Sequence, residues 1–453
     1  LASGTDSDGG TAGFQGDFST LHVTAQGAQT GSTTRIQEGH DLVSGSTVHV
    51  NAGTYVENVL VDKTIQLLGP NAGINPNTGT RGAEAIVVPA IPDIEYGIIF
   101  EITASGVVID GFTLDGDNTG IATGYGYNGA DIDTSEGVAV YVNNVSNLKV
   151  RNNIIKNLSY SGVTLFGALD YSAPTTTGHE VANNRMLNLG VYDPDSDIDY
   201  WGIGVLIYND QYTAITGNYI SDARLGIQTG NFNDANPQTP NYQEISGNTL
   251  LVRRSGIFHN LAYGGASAYA IEANSITAIA DPNESKWDGI ALSSLSVNSL
   301  AKDNVINAGG LPAPSTGFTV WNVKSTANVV IQGGSVAGAA YGVWANNFEG
   351  YGSDGGDGAH ATVTGLTVTG ADVGVRVWDS PLSTLHAPVK ITVTGNSSLT
   401  NGGTGVLVHG ANASAIVLNN TASITGNGIG IDVNAGKAKL QNNNLTGNTI
   451  AIQ

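Results

Sequence analysis

The sequence predicts an all-β fold, a single-stranded right-handed parallel β-helix of about 12 to 13 coils. One observation is a glycine followed by an apolar residue, which recurs about every 25 to 40 residues, as in solenoids. Helical periodicity is missing, because glycine interrupts the windows in which it would build up. The marker glycines are Gly97, Gly137, Gly162, Gly202, Gly226, Gly256, Gly289, Gly317, Gly342, Gly374, Gly405 and Gly430.

A second marker, an asparagine ahead of an apolar position, trails many of these glycines. Asparagine tolerates the left-handed backbone of a turn, and its amide can bond the same amide one coil away. Such residues in phase with the glycines therefore predict a ladder of stacked side chains. They are Asn153, Asn184, Asn218, Asn248, Asn274, Asn304, Asn396, Asn420 and Asn443.

Composition restricts the function classes. The 453 residues are 40% hydrophobic and only 12% charged, which is unlike a disordered chain. The net charge of −21 disfavours nucleic acid and anionic membranes as partners, and no apolar run approaches the roughly 20 residues of a membrane span. Without cysteine there is no disulfide framework or thiolate metal site. We expect a protein secreted by a bacterium.

The domain organisation follows from where the coils begin. Residues 1–45 are expected to form an N-terminal arm or cap, and residues 46–453 the β-helix, with inserted loops around 115–135, 167–200 and 231–242. The chain starts at Leu1 without the charged and apolar regions of a signal peptide, so we interpret it as a mature or trimmed form.

The opening coils, Val48 to Val59 and Leu67 to Gly69, resemble those of the pectin-lyase-like superfamily of right-handed parallel β-helices. The glycine and asparagine markers extend this resemblance over the rest of the chain. It implies a protein that acts on poly- or oligosaccharides, as a monomer or a homotrimer. The Asn-Thr-Asp, Asp-Asp and Gly-His-Gly motifs of polygalacturonases are missing, which puts that activity in doubt.

Alternation along each strand predicts which side chains point inward. After each marker glycine the first and third residues should face the core: Val138, Val140, Val163, Leu165, Ile203, Val205, Ile290, Leu292, Phe318, Val320, Val375, Val377, Val406 and Val408. The outward positions hold an aromatic stripe, with Tyr141, Phe166, Tyr208, Phe232, Phe258, Trp321, Trp344, Trp378 and finally His409. These rings are either platforms for sugar rings or are covered by inserted loops.

Counting eight residues on from a marker glycine reaches Asp170, Asp210 and Asp234 in three consecutive coils. Strands about 4.8 Å apart would crowd these carboxylates, which raises a pKa or recruits a cation. Such a pair suits the acid and nucleophile of a glycosidase. Aspartates that merely form turns are the alternative.

The opposite rim of the predicted groove carries Arg224 and Arg254, each two residues before its marker glycine. They could hold a uronic acid, act as the base of a calcium-dependent lyase, or simply neutralise the acidic column. The expected substrate-binding set is completed by Trp201, His259 and Trp287.

Calcium is the one ion that the sequence suggests, and no cofactor is required. Asp195, Asp197 and Asp199 alternate like calcium ligands in an insertion, as do Asp115 and Asp117, although solvated loop carboxylates explain them as well.

The leading hypothesis is a secreted glycoside hydrolase or glycan-cleaving transferase with a carboxylate pair from the acidic column. Alternatives are a calcium-dependent polysaccharide lyase with an arginine base and a non-catalytic adhesin or glycan-binding module.

Overall fold

The structure is a computed structural model, and the residues that it describes are 19–25, 35–142, 144–167, 177–190, 202–208, 210, 212–230, 241–260, 267–293, 295, 298–309, 311, 314–349, 353–354, 356–395, 397–400, 402–421 and 424–453. Their strands pair in parallel from one coil to the next, along three faces that enclose a single core. The chain is therefore the predicted right-handed parallel β-helix.

Each full coil passes through faces A, B and C in turn. Face A comprises Thr20–Val23, Thr47–Val50, Gln66–Leu68, Val108–Asp110, Lys149–Arg151, His179–Ala182, Tyr212–Thr216, Asn241–Ser246, Ser267–Glu272, Ser299–Lys302, Val329–Gln332, Ala359–Thr364, Val389–Thr394, Ala413–Leu418 and Lys437–Gln441. Face B comprises Gly53–Val56, Ala85–Val88, Thr113–Asp115, Ile154–Leu158, Arg185–Leu189, the first halves of Tyr219–Gly230 and Thr249–Asn260, Ser275–Ala278, Val305–Asn307, Ser335–Ala337, Thr367–Thr369, Ser398–Thr400 and Ile424–Thr425.

Face C contains the longest strands and the second halves of Tyr219–Gly230 and Thr249–Asn260. Its other members are Val59–Val61, Asp93–Ile102, Thr134–Val140, Ser161–Phe166, Ile203–Tyr208, Trp287–Ser293, Ser315–Trp321, Tyr341–Asn346, Val373–Trp378, Thr404–His409, Ile429–Asn434 and Ile450–Ile452. Two short antiparallel hairpins lie outside the faces: Gly126–Tyr127 with Ala130–Asp131, and Phe348–Glu349 with Ser353–Asp354.

The inward positions of face C form the core predicted from alternation, with one exception. Val138 pairs with Val163, and Val163 with Val205, and all three side chains are fully buried. Ile203 is buried too, but it belongs to a separate cluster with Leu206 outside the main core. The expectation that it faces the core was wrong.

Ile203 is an exception because the stacked glycine of its coil is Gly204 and not Gly202. A Cβ built on Gly204 would lie 2.5 Å from the carbonyl oxygen of Gly226, as for the other stacked glycines, whereas Gly202 lies two residues earlier. Positions counted from Gly202 are therefore two residues out of register.

The asparagine ladder is present at the corner between faces A and B. Each amide oxygen accepts hydrogen bonds from the backbone N–H and the side-chain amide of the preceding ladder residue; for Asn218 these come from Asn184 at 2.9 and 3.0 Å. The amide nitrogen of Asn218 donates to Asn248 Oδ1 at 3.0 Å and to the Val181 carbonyl at 2.8 Å. The buried run comprises Asn153, Asn184, Asn218, Asn248, Asn274 and Asn304. Asn420 bonds Asn443 in the same way near the C-terminus, and Asn396 lies outside the described residues.

The residue before each of these six asparagines adopts a left-handed conformation. Gly217 (φ 63°) does so without a Cβ penalty, whereas Ala273 (φ 53°) and Asp303 (φ 52°) adopt the same conformation with a side chain. The chain bends sharply here, so the ladder marks a turn that stacking repeats from coil to coil.

The N-terminal end of the helix is covered by α1, Arg35–Leu42. The carboxylate of buried Glu57 accepts hydrogen bonds from the backbone N–H groups of Arg35, Ile36 and Gln37, the orphan donors of the first turn. The strand Thr20–Val23 pairs with Thr47–Val50 and so joins face A ahead of residue 46. No helix in the described ranges is long and apolar enough to span a bilayer.

Removing one ladder residue is expected to destabilise the fold strongly. Asn218→Ala leaves the amide of Asn184 and the Val181 carbonyl buried without their hydrogen-bond partner. The free energy of unfolding should fall by about 3 kcal/mol or more. Urea unfolding followed by far-UV circular dichroism measures this. Asn328→Ala is the matched control, since Asn328 is exposed and does not have the left-handed backbone of the turn residues, and it should change the unfolding free energy by less than about 0.5 kcal/mol. Equal midpoints for the two variants would show that the ladder contributes nothing.

Candidate functional site

Face C lies between two rows of insertions. At the corner between faces B and C the chain inserts residues 116–133, 190–202, 279–286 and 308–314. At the corner between faces C and A it inserts residues 167–178, 231–240, 347–358 and 379–388. Face C is therefore flanked by insertions at both of its edges, and loops carried by a rigid scaffold are where binding sites are expected.

The outward side chains of face C change in exposure along the axis. In the coils between Thr134 and Ser293 they are mostly covered, as for Thr164 and Gln228, which are at most 1% exposed. Thr319, Trp344 and Arg376, which continue the same column in later coils, are partly exposed. Face C thus has a covered N-terminal stretch and an open C-terminal stretch.

The aromatic stripe is real in the covered stretch. The ring of Phe166 lies 5.1 Å from that of Tyr141 and 5.1 Å from that of Tyr208. Tyr208 is only 5% exposed and packs with Ile203, Leu206 and other apolar side chains outside the main core. Tyr208 is thus covered by side chains of the neighbouring strands, whereas the rings of Tyr141 and Phe166 are only partly buried.

A buried carboxyl group, Glu136, lies at one end of these rings. It is 2% exposed and stands one residue before the stacked Gly137. Its Oε1 accepts hydrogen bonds from Tyr141 Oη at 2.8 Å, from Ser161 Oγ at 3.4 Å and from Thr164 Oγ1. Burial raises the pKa of Glu136 to about 7, although these hydroxyl donors lower it in part.

Asp210 lies at the opposite rim, between faces C and A, and is 1% exposed. It accepts a hydrogen bond from Thr213 Oγ1, and its Oδ1 lies 3.5 Å from Nε2 of His179. Burial lowers the pKa of His179 to about 4, and its Nδ1 accepts a hydrogen bond from the Leu148 N–H at 3.2 Å. The imidazole is therefore neutral at physiological pH.

The register changes how the three predicted aspartates relate to one another. Phe166 pairs with Tyr208, and Tyr208 with Gly230. Asp170 and Asp234 each follow these paired positions by four residues, whereas Asp210 follows by two. The equal spacing was wrong for Asp210, because it was counted from Gly202. Asp170 and Asp234 themselves lie outside the described residues.

Arg224 and Arg254 are neighbours at the rim between faces B and C, as predicted, but their partners are local. Both bond Glu284, from the insertion after Ser275–Ala278: Arg224 through Nε, and Arg254 through Nε at 3.4 Å. Nη1 of Arg254 also lies 3.2 Å from Asp288 Oδ2. The acidic groups described beside these arginines therefore lie on their own rim.

Asp288 is the most deeply buried acid of this rim, at 3% exposure. Burial alone would raise its pKa, but Lys286 at 3.5 Å and Arg254 outweigh that effect and lower it, with help from Thr319 Oγ1 at 2.7 Å. Asp288 is thus held as a carboxylate in the same outward column as Glu136.

Two cavities of about 260 and 360 Å³ border this rim. Arg253 and Asp281 line both of them, and Arg253 also packs over the ring of Tyr127 at 4.9 Å. Trp287 lines the larger one but is 2% exposed and packs with the core, its indole N–H donating to the Val252 carbonyl.

Several predicted site residues lie outside the described part of the chain. These are Trp201, Phe232 and the predicted calcium ligands Asp195, Asp197 and Asp199. His259 is described only through its backbone, which pairs with Thr229. Among the described residues no group of three or more acidic or histidine side chains is arranged to hold a metal ion. Asp115, for example, pairs with Lys156 at 2.7 Å.

Sequence reasoning missed Glu136, Asp288 and Glu284. The first two stand directly before a stacked glycine, at an outward position that counting forward from the glycine never reaches. Strict alternation would have placed these positions inward, two residues before core residues such as Val138, so it fails at the stacked glycine, as it does for Ile203. Glu284 lies in an insertion, where no periodic signal applies.

The described strands define the class of protein as a parallel β-helix, and comparison with solved structures agrees. PfbA, a surface adhesin of Streptococcus pneumoniae, is similar over 92% of this chain and 89% of its own, with 14% identity and a TM-score of 0.51. The catalytic domain of a GH87 α-1,3-glucanase in complex with tetrasaccharides is similar over 96% and 68%, with 12% identity and a TM-score of 0.47.

A third similar structure is the A-module of the mannuronan C-5 epimerase AlgE4 of Azotobacter vinelandii, covering 92% of this chain and 91% of its own at 11% identity and a TM-score of 0.42. At these identities the likeness concerns the fold alone. No protein-family model matches the sequence, and no curated protein is significantly similar to it.

Asp288→Asn is expected to destabilise the rim, because it leaves Arg254 and Lys286 buried with less compensating charge. The free energy of unfolding should fall by about 3 kcal/mol. Glu180→Gln breaks a largely solvated pair with Lys149 and should cost less than about 1 kcal/mol. Thermal unfolding of both variants at low and high salt measures the difference; an Asp288→Asn variant as stable as Glu180→Gln would contradict a buried network.

Proposed function

We propose that this chain is an extracellular enzyme that cleaves a polysaccharide along face C by glycoside hydrolysis, with Glu136 as the general acid. The observation that carries the proposal is the asymmetric setting of the Glu136 carboxyl group beside outward-facing rings. Such rings suit the apolar faces of sugars.

The two oxygens of Glu136 are in different environments. Oε1 is the acceptor for the hydroxyls of Tyr141, Ser161 and Thr164, while Oε2 makes no hydrogen bond to a described residue. A proton on the carboxyl group is therefore favoured on Oε2. With a pKa of about 7, a large fraction of the group carries that proton at neutral pH. A proton donor poised near the working pH is what protonation of a glycosidic oxygen requires.

The second carboxyl group of a hydrolase is assigned here to Asp170 or Asp234. Asp170 follows the strand Ser161–Phe166 in sequence, and Ser161 at the start of that strand pairs with Glu136, so this assignment requires the insertion after Phe166 to return along face C. A nucleophile about 5–5.5 Å from the acid gives retention, and a base about 6.5–9.5 Å away gives inversion. The Asp210 carboxyl is the weaker candidate, since it is engaged by Thr213 and His179 in the interior.

The arginine-base alternative is less well supported. The guanidinium of Arg254 lies between the carboxylates of Glu284 and Asp288, so its N–H groups are already engaged by the protein. A residue held in this way is poorly placed to contact a substrate. Hydrolysis therefore fits the described residues better than β-elimination.

Glu136→Gln tests the proposal, because it keeps the shape of the side chain and removes the proton. The turnover number should fall by about 100-fold or more, with the Michaelis constant little changed. The measurement is release of reducing ends from a panel of polysaccharides, with ultraviolet absorbance of unsaturated products recorded in parallel. Glu180→Gln, on face A, is the control and should retain full activity.

The pH dependence provides a second readout of the same change. Wild-type turnover should decline as the pH rises above about 7, because the acid loses its proton. The folded pKa lies above the ordinary value of 4.5, so Glu136 favours the folded state most below pH 4.5, and this contribution is lost as the pH rises through 7. Glu136→Gln should remove that slope in stability.

Undiminished turnover by Glu136→Gln would rule out the assignment. An unsaturated product that depends on calcium would replace the hydrolase by a lyase. Binding of a glycan that is never cleaved by the wild type would favour an adhesin.

A further inference from the structure

A second cluster of outward side chains lies on the open stretch of face C. We call it the Arg376 cluster, comprising Tyr341, Trp344, Arg376 and Trp378. The guanidinium carbon of Arg376 lies 3.8 Å from the ring centroid of Trp378, 4.6 Å from that of Tyr341 and 5.5 Å from that of Trp344. The two indole rings are stacked at 5.7 Å with an interplanar angle of 24°.

The charge of Arg376 has no anionic partner in the described part of the chain. No carboxylate there lies within 4.0 Å of its guanidinium, whereas Arg224 and Arg254 on the same face each contact one. Burial among the rings lowers the pKa of Arg376, because the rings take the place of water around part of the cation. A cation in this setting gains much from an anion that arrives with a ligand.

The cluster also holds hydrogen-bond donors without acceptors. Nε of Arg376, Nε1 of Trp344 and Nε1 of the adjacent Trp321 are buried and bond no described residue. Guanidinium and indole groups can only donate. These three atoms are inaccessible to solvent, so a ligand would bond the terminal N–H groups of Arg376; it must supply oxygen acceptors and, for the ring faces, an apolar surface.

We propose that the Arg376 cluster is a binding subsite for a uronic acid residue of an acidic polysaccharide. The carboxylate pairs with the terminal N–H groups of the Arg376 guanidinium, which make no hydrogen bond to a described residue. The pyranose ring packs against Trp344 and Trp378. The fork of an arginine holds a planar carboxylate through two parallel hydrogen bonds.

The subsite is distant from Glu136. Eight strand-to-strand steps along face C separate the two coils, or about 38 Å at the usual strand spacing. Arg376 therefore anchors a long chain and does not take part in bond cleavage. The inference rests on the proposed function only in taking the ligand to be a glycan, and it is tested by binding alone.

The test is calorimetric binding of oligouronates to the full chain. The probes are oligomers of galacturonate, mannuronate, guluronate and glucuronate, each compared with its carboxyl-reduced counterpart. At least one acidic oligomer should bind at least tenfold more tightly than its neutral counterpart. Arg376→Gln should abolish this preference, and Arg376→Lys should lose less of it, since the charge remains.

Arg185→Gln is the matched control. Its guanidinium lies 4.5 Å from the ring of Tyr219, on face B, so it repeats the stacking of an arginine on an aromatic ring away from face C. This variant should bind like the wild type. Dextran sulfate should compete weakly for the subsite if it recognises carboxylate.

Two results would overturn the proposal: no acidic oligomer preferred over its neutral form, or a preference that survives in Arg376→Gln. Efficient displacement by dextran sulfate at equal charge would overturn the assignment to uronate. If Glu136 is not the general acid, a different result is expected. Glu136→Gln would then keep its turnover, while the preference for acidic oligomers would still depend on Arg376.

Discussion

The hydrogen bonding of one coil to the next at the corner between faces A and B is the constraint on which the structure depends. At this corner the chain turns through a left-handed residue such as Gly217 and then places an asparagine whose amide is shared with the coils on both sides. Because these amides are buried, a coil that shifted by one residue would leave several polar groups unsatisfied at once. The ladder thereby fixes the register on face B, and through the short connection to face C it fixes the outward columns there.

Because the register between coils is fixed, the outward side chains of face C can vary without a change in the fold. The inward positions of face C are apolar in most coils, while the outward column one residue before the stacked glycine varies from Glu136 to Ser161, Asp288 and Tyr341. The backbone at these positions is the same, so the difference lies in what covers them. Glu136, beside hydroxyls in a covered stretch, has a raised pKa, whereas Asp288, beside two cations, has a lowered one. One scaffold thus holds a neutral and an ionised acid in the same column.

The sequence was sufficient for the parts of the molecule that repeat. Asn153 to Asn304 and the inward valines were predictable, because each coil presents the same environment and errors in one coil are corrected by its neighbours. It was insufficient where a coil departs from the repeat. Gly202 resembles a marker glycine in sequence, but the stacked glycine is Gly204. The predicted register of Ile203 and Asp210 was therefore wrong by two residues. The pairing of Arg224 and Arg254 with Glu284 depends on an insertion, whose conformation carries no periodic signal. The burial of Tyr208 depends on packing with Ile203, Leu206 and Leu225 from its own and a neighbouring strand.

The distribution of charge on face C follows from both the repeating strand positions and the insertions. The chain as a whole carries a net charge of −21, yet the rim between faces B and C gathers Arg224, Arg253, Arg254 and Lys286 around acids from the insertion and from face C. These cations form ion pairs with nearby carboxylates and so stabilise the covered stretch. On the open stretch the cation of Arg376 is partly shielded from water by rings and forms no ion pair with a described carboxylate. The two stretches therefore differ in kind: the first buries ionisable groups in a fixed network, and the second leaves a cation whose charge only a bound anion can balance.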